Sequence, residues 1–295
     1  MSGDPTAALP QIGRSEHSED SVWPLLVRGL AATLDEPFEP DGPLPPLWHW
    51  ILFQEWTPGA QLAADGHAPR GGLLPLLPEF PLRMWGGGLL SFHEATLRPG
   101  DRVSRVSTLL RVEEKRGASG PFAIVTVGHE ITGPRGPVLS EEQQLIYRRS
   151  AIAQGAKADR PAFAPGATAG KPASEERSPL PQFSRTVPVT STLLFRYSAL
   201  TGNAHRIHYD ETYAREVAGH AGLVVHGPLQ ATLLAQLLRK QYPGRRLRTL
   251  HYRAQRPAIA PAELLLEGWE QNGRIQLQCR PTGGAACMSA EAVIE

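Results

Sequence analysis

The stretch that decides the fold is residues 197–240, YSALTGNAHRIHYDETYAREVAGHAGLVVHGPLQATLLAQLLRK, which divides at His226-Gly227-Pro228. Beyond that point leucines recur at helical spacing with alanines between them, which predicts a buried helix over 228–240. Proline suits the first turn of a helix, and the glycine before it lets the backbone approach a ligand closely. Before the division the sequence is polar and rich in turn residues, so we expect its histidines to be displayed rather than packed in a core.

Length and composition limit what the whole chain can be. A chain of 295 residues fits two domains of ordinary size, and 41% hydrophobic with 20% charged residues is typical of a globular protein. A formal net charge of +1 gives no electrostatic reason to expect nucleic acid, so a small-molecule partner is the default. Cys279 and Cys287 are too few for a disulfide framework and predict free thiols in a reducing compartment. No apolar run is long enough to span a bilayer, and we expect a cytoplasmic protein.

The first half is predicted to begin with a flexible lead over residues 1–20. A helix capped by Ser21 follows, and the aromatic run 47–53 predicts a second, buried helix. Residues 57–82 are rich in glycine and proline and predict a long loop, a kind of segment that often carries function. Turn residues then separate four apolar runs, which indicate an antiparallel sheet, and imperfect alternation in the second run predicts a bulge. The four strands are predicted at 89–96, 102–114, 122–132 and 138–148.

The second half repeats the order of the first. Residues 151–181, rich in alanine, proline and glycine, predict a linker between domains at 21–150 and 182–295. The segments FHEATLRP at 92–99 and LHYRAQRP at 250–257 occupy corresponding places, which indicates an internal duplication. We therefore predict an α+β architecture in which one continuous antiparallel sheet surrounds the helices. The second half is predicted to contain a strand at 183–189, a helix around 193–200, the helix at 228–240, and strands at 247–256, 262–269, 274–280 and 285–294.

Two segments carry a resemblance to a known family. The sequence SALTGNAHRIHYD at 198–210, followed by VHGPL at 225–229, is similar to the MaoC-like hydratases and dehydratases. In that family a Ser-Gly-Asp-x-Asn-Pro-x-His stretch carries a catalytic aspartate and, five residues later, a catalytic histidine. The corresponding residues here are Asn203 and His208. The resemblance implies a double hot-dog fold, with a central helix wrapped by an antiparallel sheet in each repeat, and a noncatalytic first repeat.

The motif RMWGG at 83–87 is similar to one subgroup of that family. The subgroup contains hydratases of mesaconyl-C4-CoA, itaconyl-CoA and 3-methylfumaryl-CoA, and the hydroxyacyl-thioester dehydratases of mitochondrial fatty-acid synthesis. It implies reversible addition of water to an enoyl thioester, most simply a branched or dicarboxylic C5-type acyl-CoA. No cofactor is expected, because CoA is part of the substrate. An acyl carrier protein thioester stays open as the substrate, as does a homodimer.

The residues suggest a mechanism for such a reaction. An imidazole ordinarily titrates near neutral pH, so we assign His208 as the general base. Asn203 can orient a water molecule but cannot take up a proton, which puts a two-residue acid–base dyad in doubt. Backbone N–H groups at the helix start near Gly227 are expected to stabilise the thioester oxygen as it gains negative charge, and His226 to brace that start.

Other polar residues near the motif have alternative roles. A free carboxylate on the substrate would suit an arginine fork, and the possible substrate-binding residues are Arg206, Arg83, Trp85 and Gly86. His205 is favoured as a structural residue. Asp210 and Glu211 are either a replacement carboxylate or a cap for the segment that follows.

Three other functions stay open. A metal site could draw on His205, His208, His220 and His226, but no HExxH helix or cysteine pair accompanies them, and none is expected. A hot-dog thioesterase would use the same acyl-CoA pocket for hydrolysis. A non-enzymatic acyl-thioester binding protein would be consistent with Asn203 in place of the aspartate.

Overall fold

The computed structural model describes residues 11–69, 71–117, 120–149 and 180–295. Within these residues the chain forms three α-helices and twelve strands. The helices are α1 (Pro24–Thr33), α2 (Ser191–Leu200) and α3 (Gly227–Gln241). The strands are β1 (Ser15–Ser21), β2 (Leu82–Phe92), β3 (Arg102–Gly117), β4 (Gly120–Gly133), β5 (Gly136–Arg148), β6 (Phe183–Val189), β7 (Leu223–Val224), β8 (Leu247–Ala254), β9 (Ile259–Ala260), β10 (Ala262–Gln271), β11 (Arg274–Pro281) and β12 (Met288–Ile294).

Ten of these strands form one antiparallel sheet in the order β1-β3-β4-β5-β2-β8-β12-β11-β10-β6. Read outward from its centre, each half of the sheet runs through corresponding strands of one repeat, which confirms the internal duplication. The halves meet where β2 pairs with β8, with Leu89 opposite His251 and Leu90 opposite Leu250. Strands β7 and β9 form a separate two-stranded pair.

Helix α3 is the central helix of the second repeat. Leu229, Leu233 and Leu237 lie on its buried surface as their spacing predicts, and alanines keep its remaining buried faces small. The helix contacts β2, β6, β8, β10, β11 and β12, so both halves of the sheet contribute to its packing. The predicted buried helix is therefore confirmed, with one further residue at each end.

Most of the predicted strands are confirmed in place. In the first repeat β3, β4 and β5 extend the predictions by a few residues, and the pairing of β3 with β4 shifts register between Leu109 and Arg111, as a bulge requires. Strand β2 begins seven residues earlier than predicted and ends at Phe92 rather than at residue 96, so Arg83 and Trp85 belong to the sheet. Gly87 allows β2 to approach β8 closely, because its φ is +155° and an added Cβ would lie 2.5 Å from the Tyr252 carbonyl oxygen.

The predicted flexible lead is wrong for its last part. Residues 15–21 form β1, which pairs with β3 along its whole length, while residues 1–10 lie outside the described part. Ser21 therefore ends a strand and does not cap α1, which begins after Trp23. Asp20 organises this turn, since its carboxylate accepts hydrogen bonds from the backbone N–H of Ser21 at 2.7 Å and of Phe53 at 2.7 Å.

The predicted buried helix at 47–53 is also wrong. This segment is buried but forms only a 3₁₀ turn, Trp48–Ile51, between Leu47 and Phe53, both of which have positive φ. A helix cannot continue through such residues. Instead, the buried carboxylate of Glu141 on β5 accepts one hydrogen bond from the buried ring of His49 and one from the indole of Trp50, each at 3.1 Å.

Most of the predicted linker, residues 151–179, lies outside the described residues. In the described part no helix combines the length and apolar character needed to cross a membrane. Cys279 and Cys287 are buried free thiols, as predicted.

Candidate active site

The loop between α2 and α3, residues 201–226, holds the histidines of the sequence motif. Its start is fixed by the N–H of Asn203, which donates to the Ser198 carbonyl at 2.9 Å. A short 3₁₀ turn, Arg206–His208, then directs the loop back towards α3. The loop thus places His208 and His226 next to each other, with ring centroids 3.7 Å apart and planes 19° from parallel.

His208 is a buried imidazole with a defined tautomer, so the expectation that it is displayed is wrong. Its Nδ1 lies 2.7 Å from the carbonyl oxygen of Val224, and a carbonyl can only accept, so Nδ1 carries the proton. The lone pair is therefore on Nε2. Burial lowers the pKa of His208 to about 4, although the hydrogen bond to Val224 acts in the opposite direction. The ring is neutral at physiological pH, which is the state a general base requires.

His226 lies immediately before the first residue of α3. Its Nε2 is 2.8 Å from the hydroxyl of Ser198 on α2, and Tyr197 packs edge-on against its ring at 5.0 Å. Burial, with nearby His208 and His205, holds the pKa of His226 well below its ordinary value. His226 therefore connects α2 with α3 as a neutral ring.

Asn203 and His205 form a turn before His208. The Asn203 side-chain oxygen accepts the N–H of His205 at 3.0 Å, so the amide oxygen closes this turn. The ring of His205 meets that of His208 edge-on, with centroids 5.6 Å apart. Burial lowers the pKa of His205 to about 3. The amide nitrogen of Asn203 is the part of that side chain that can serve as a donor to a water molecule.

The start of α3 lies against the first repeat. A Cβ added to Gly227 would be 3.3 Å from Cδ1 of Trp85 on β2, so the helix start and the indole are in contact. Amide N–H groups in the first turn of a helix have no partner within the helix, and the helix dipole favours negative charge there. Gly227 therefore provides the type of backbone donor that stabilises an oxyanion.

Arg206 is engaged within the loop. Its Nε and Nη2 bond Asp210 at 3.0 and 2.7 Å, Nη1 donates to the Ala64 carbonyl at 3.1 Å, and the guanidinium lies over the Tyr213 ring. The hydrogen bond from the Tyr213 N–H and the ion pair with Arg206 lower the pKa of Asp210. Asp210 is thus the cap of the following segment rather than a replacement carboxylate. The exposed Glu211 pairs with Arg215 instead.

Arg83 and Gly86 differ in their surroundings on β2. Arg83 is half-buried and close enough for its charge to lower the pKa of His205, after burial and the neighbouring histidines. Among the described residues it has no carboxylate partner in an ion pair. Gly86 is buried, and an added Cβ would lie 2.8 Å from Ile146, so packing within the sheet explains this glycine.

The sequence motif did not identify two further residues at the site. Asp65 and His67, in the loop of the first repeat, lie beside His205: the rings of His67 and His205 are 4.0 Å apart. The potential ligand atoms of these three residues all lie within 4.8 Å of one another, close enough for a metal ion. The only sequence signal was the prediction that residues 57–82 form a long functional loop.

Solved structures of similar proteins define the fold of this chain. The structure aligns with a MaoC-like dehydratase from Phytophthora capsici at a TM-score of 0.68 and 16% identity, covering 98% of each chain. HtdX from Mycobacterium tuberculosis aligns at a TM-score of 0.65 and 15% identity, over 95% of this chain and 99% of that one. Another Mycobacterium tuberculosis protein, described as having a double hotdog fold, aligns at 0.56 and 14% identity over 97% of each chain. The α+β double hot-dog prediction is confirmed.

Sequence similarity defines the family more narrowly. The family model for hydroxyacyl-thioester dehydratase type 2 matches residues 47–260, and the chain belongs to this family. It is 40% identical over 283 residues to mesaconyl-C(4)-CoA hydratase of Chloroflexus aurantiacus, covering 95% of each chain. It is 28% identical over 232 residues to the mitochondrial hydroxyacyl-thioester dehydratase type 2 of Schizosaccharomyces pombe, covering 73% of this chain and 74% of that one.

Proposed function

We propose that this protein is a hydro-lyase that adds water reversibly across the double bond of an enoyl thioester. The observation that carries the proposal is His208, a neutral ring whose Nδ1 is held by Val224 and whose Nε2 keeps its lone pair. This ring lies beside the start of the central helix in a family that is named for thioester dehydration. Hydration of an enoyl thioester needs a base that activates the water and a donor that stabilises the thioester oxygen, and His208 and the start of α3 can supply them.

The steps follow from these groups. His208 Nε2 takes a proton from a water molecule as its oxygen bonds to the β-carbon. The electron pair of the double bond moves towards the thioester oxygen, where the N–H groups at the start of α3 stabilise the enolate. Asn203 donates from its amide nitrogen to the attacking water. The α-carbon then takes up a proton, which completes the hydroxyacyl thioester.

The test is an assay on purified protein with crotonyl-CoA, mesaconyl-C4-CoA, itaconyl-CoA and 3-methylfumaryl-CoA. Loss of the enoyl absorbance, with a hydrated product identified by mass spectrometry, is the expected result. Release of free thiol without hydration would identify a thioesterase instead. Binding of the thioesters without turnover of any of them would identify an acyl-thioester binding protein.

We further propose that the acyl group is a branched or dicarboxylic C5-type group. Two observations support this. The relative with 40% identity is named a mesaconyl-C(4)-CoA hydratase. Arg83 also presents a half-buried charge beside His205 with no ion-pair partner among the described residues, and a guanidinium binds a carboxylate through two hydrogen bonds. Arg206 is already paired with Asp210, which leaves Arg83 as the substrate arginine.

Substitution of Arg83 tests this part. In Arg83→Ala the kcat/KM ratio of mesaconyl-C4-CoA to crotonyl-CoA should fall about 10- to 100-fold, because a hydrogen bond to a charged group contributes about 1.5–3 kcal/mol. Exposed Arg102, which pairs only distantly with Glu19, provides the control variant. An unchanged ratio in Arg83→Ala, with normal crotonyl-CoA turnover, would remove Arg83 from substrate recognition.

A second candidate is dehydration of a hydroxyacyl thioester in fatty-acid synthesis, which uses the same groups in the reverse direction. The name of the family and the Schizosaccharomyces pombe relative favour it. Comparing kcat/KM for 3-hydroxyacyl chains on CoA and on acyl carrier protein separates the two. A preference for the carrier protein and for straight chains would favour dehydration.

We also propose a cytoplasmic homodimer without a separate cofactor. The buried thiols Cys279 and Cys287 are consistent with a reducing compartment. In the described residues β1 and β6 are the outer strands of the sheet, and such edges pair readily with a second chain. Light scattering after size-exclusion chromatography measures the oligomeric state.

A further inference from the structure

The long loop of the first repeat reaches the motif loop of the second. The N–H of Arg206 donates to the Asp65 carbonyl at 2.9 Å, and the Arg206 side chain donates to the carbonyl of Ala64. The next residue, Gly66, has a φ of +88°, and a Cβ added there would lie 1.9 Å from the carbonyl oxygen of Ala204. The contact between the repeats is therefore close and depends on glycine at this position.

This loop carries a hydrogen-bonded carboxylate and imidazole. Asp65 Oδ2 lies 3.0 Å from Nδ1 of His67, and Oδ1 accepts the N–H of the same residue at 2.9 Å. The hydrogen bond from His67 holds the pKa of Asp65 far below its ordinary value, so the carboxylate is ionised. An ionised carboxylate only accepts, so Nδ1 of His67 carries a proton and Nε2 is the atom free for exchange. Such a pair orients a histidine and stabilises its positive charge when it is protonated.

The Asp65–His67 pair joins a row of imidazoles that ends at the general base. The ring of His67 lies 4.0 Å from that of His205, with planes 35° apart, and His205 meets His208 edge-on at 5.6 Å. His205 and His208 have no carboxylate partner among the described residues. The side chain of His67 is 24% exposed, so protons from solvent can reach it.

The proposed reaction needs a second proton-transfer group. His208 removes a proton from water, but the α-carbon must gain one, and the amide of Asn203 cannot supply it. We propose that the Asp65–His67 pair of the first repeat is this second acid–base group, replacing the aspartate for which Asn203 stands. This inference rests on the proposed hydratase function.

The step balances as follows. Protonated His67 donates its Nε2 proton to the α-carbon as the enolate electron pair forms the new C–H bond, and His67 becomes neutral. The water proton remains on His208 until it passes to solvent, and His67 takes a proton from solvent before the next turnover. The net change is one water added to one double bond.

A metal ion is the rival interpretation of Asp65, His67 and His205. Two features favour the proton-transfer pair. Asp65 and His67 already satisfy each other by a hydrogen bond, and the charge of Arg83 acts on His205 with the sign that repels a cation. A metal-binding assay accompanies the test below for this reason.

The test compares His67→Gln, His67→Gly and Asp65→Asn with the wild-type chain. We expect kcat to fall about 10²- to 10³-fold in both His67 variants with little change in KM, since general acid catalysis contributes on this scale. Asp65→Asn keeps the shape and should lose about 10-fold or more. Added imidazole should restore activity to His67→Gly, a result that a purely structural role cannot give. His17→Gln, an exposed histidine on β1, is the matched control.

The outcomes of this test separate the proposed function, the Asp65–His67 assignment and a metal site. A wild type without hydration activity would overturn the proposed function, whereas an active wild type with fully active His67→Gln would overturn only the Asp65–His67 assignment. The Asp65–His67 assignment is supported if both His67 variants unfold at the wild-type temperature but lose activity, and added imidazole restores activity to His67→Gly. Stoichiometric zinc or iron in purified wild type, lost in Asp65→Asn together with activity, would replace the pair with a metal site.

Discussion

The two repeats share a sheet but distribute their loops in opposite ways. In the second repeat, residues 201–226 separate α2 from α3, whereas the first repeat has only residues 34–47 at that point. After the central element the order reverses: residues 52–81 precede β2, but only residues 242–246 precede β8. The first repeat, which has the short connection before its central element, therefore carries the long loop that reaches the candidate site of the second repeat.

The central elements differ in the same sense. Helix α3 begins beside the neutral pair His208 and His226, and the lone pair on His208 Nε2 lies near this helix start. The corresponding turn in the first repeat places His49 against the ionised Glu141, because hydrogen bonds from His49 and Trp50 outweigh the burial that raises its pKa. A buried carboxylate satisfied in this way holds the turn of the first repeat against β5. The difference teaches that the two repeats keep the same sheet while, under the proposed function, catalysis belongs to the second repeat and support to the first.

The largest expected effect comes from the catalytic side of this contrast. His208→Ala should lower kcat about 10³- to 10⁴-fold, because it removes the base, while leaving the protein folded. Steady-state kinetics and thermal unfolding measure the two quantities. His251→Ala, which changes a half-buried histidine on β8, is the control, and equal losses in both variants would contradict the assignment.

The supporting side should respond in the reverse manner. His49→Ala leaves the buried Glu141 without its imidazole partner, and breaking a buried pair costs about 3–5 kcal/mol. We expect a lower free energy of urea unfolding but near-normal kcat below the new unfolding temperature. A strong loss of kcat with unchanged stability would place His49 in catalysis and erase the division between the repeats.

The contact between the repeats can be broken at Gly66. Gly66→Ala should lower activity about 10- to 100-fold, because the new Cβ collides with Ala204 and displaces the loop that carries Asp65 and His67. Gly100 also has a positive φ, +92°, but nothing lies within 4 Å of an added Cβ. Gly100→Ala therefore controls for backbone strain, and similar activity of both variants would show that the long loop does not matter to the site.

The smallest effect is on acid stability. His208 titrates ordinarily near 6.5 when unfolded but has a pKa of about 4 in the folded chain, so the unfolded state binds more protons between these values. Stability should therefore be full above about pH 6.5 and decrease as the pH falls towards 4. His208→Gln should reduce the loss between pH 7 and 5 by up to about 2 kcal/mol. Identical urea-unfolding losses in both proteins would contradict the low pKa.

Local spacing was enough to predict much of the fold. The leucine spacing in α3 and the apolar pattern of the predicted strands indicate which face of each element is buried. This pattern is set by residues close together in the sequence. The aromatic run 47–53 misled because its burial was predicted correctly while its conformation depends on Glu141, far away in the chain. Ser21 misled because β3 draws it into a strand.

Sequence by itself determined the duplicated α+β plan, the buried helix at its centre and His208 as the histidine of the motif. Only the tertiary structure decided that Asp210 and Ala64 hold Arg206, whereas Arg83 has no ion-pair partner among the described residues. It also decided which side chains of the first repeat lie beside the second. Trp85 meets Gly227, and Asp65 and His67 meet His205, because β2 pairs with β8 and the long loop folds across the motif. Residue spacing encodes contacts within a helix or strand, whereas contacts between distant segments depend on how the two repeats pack.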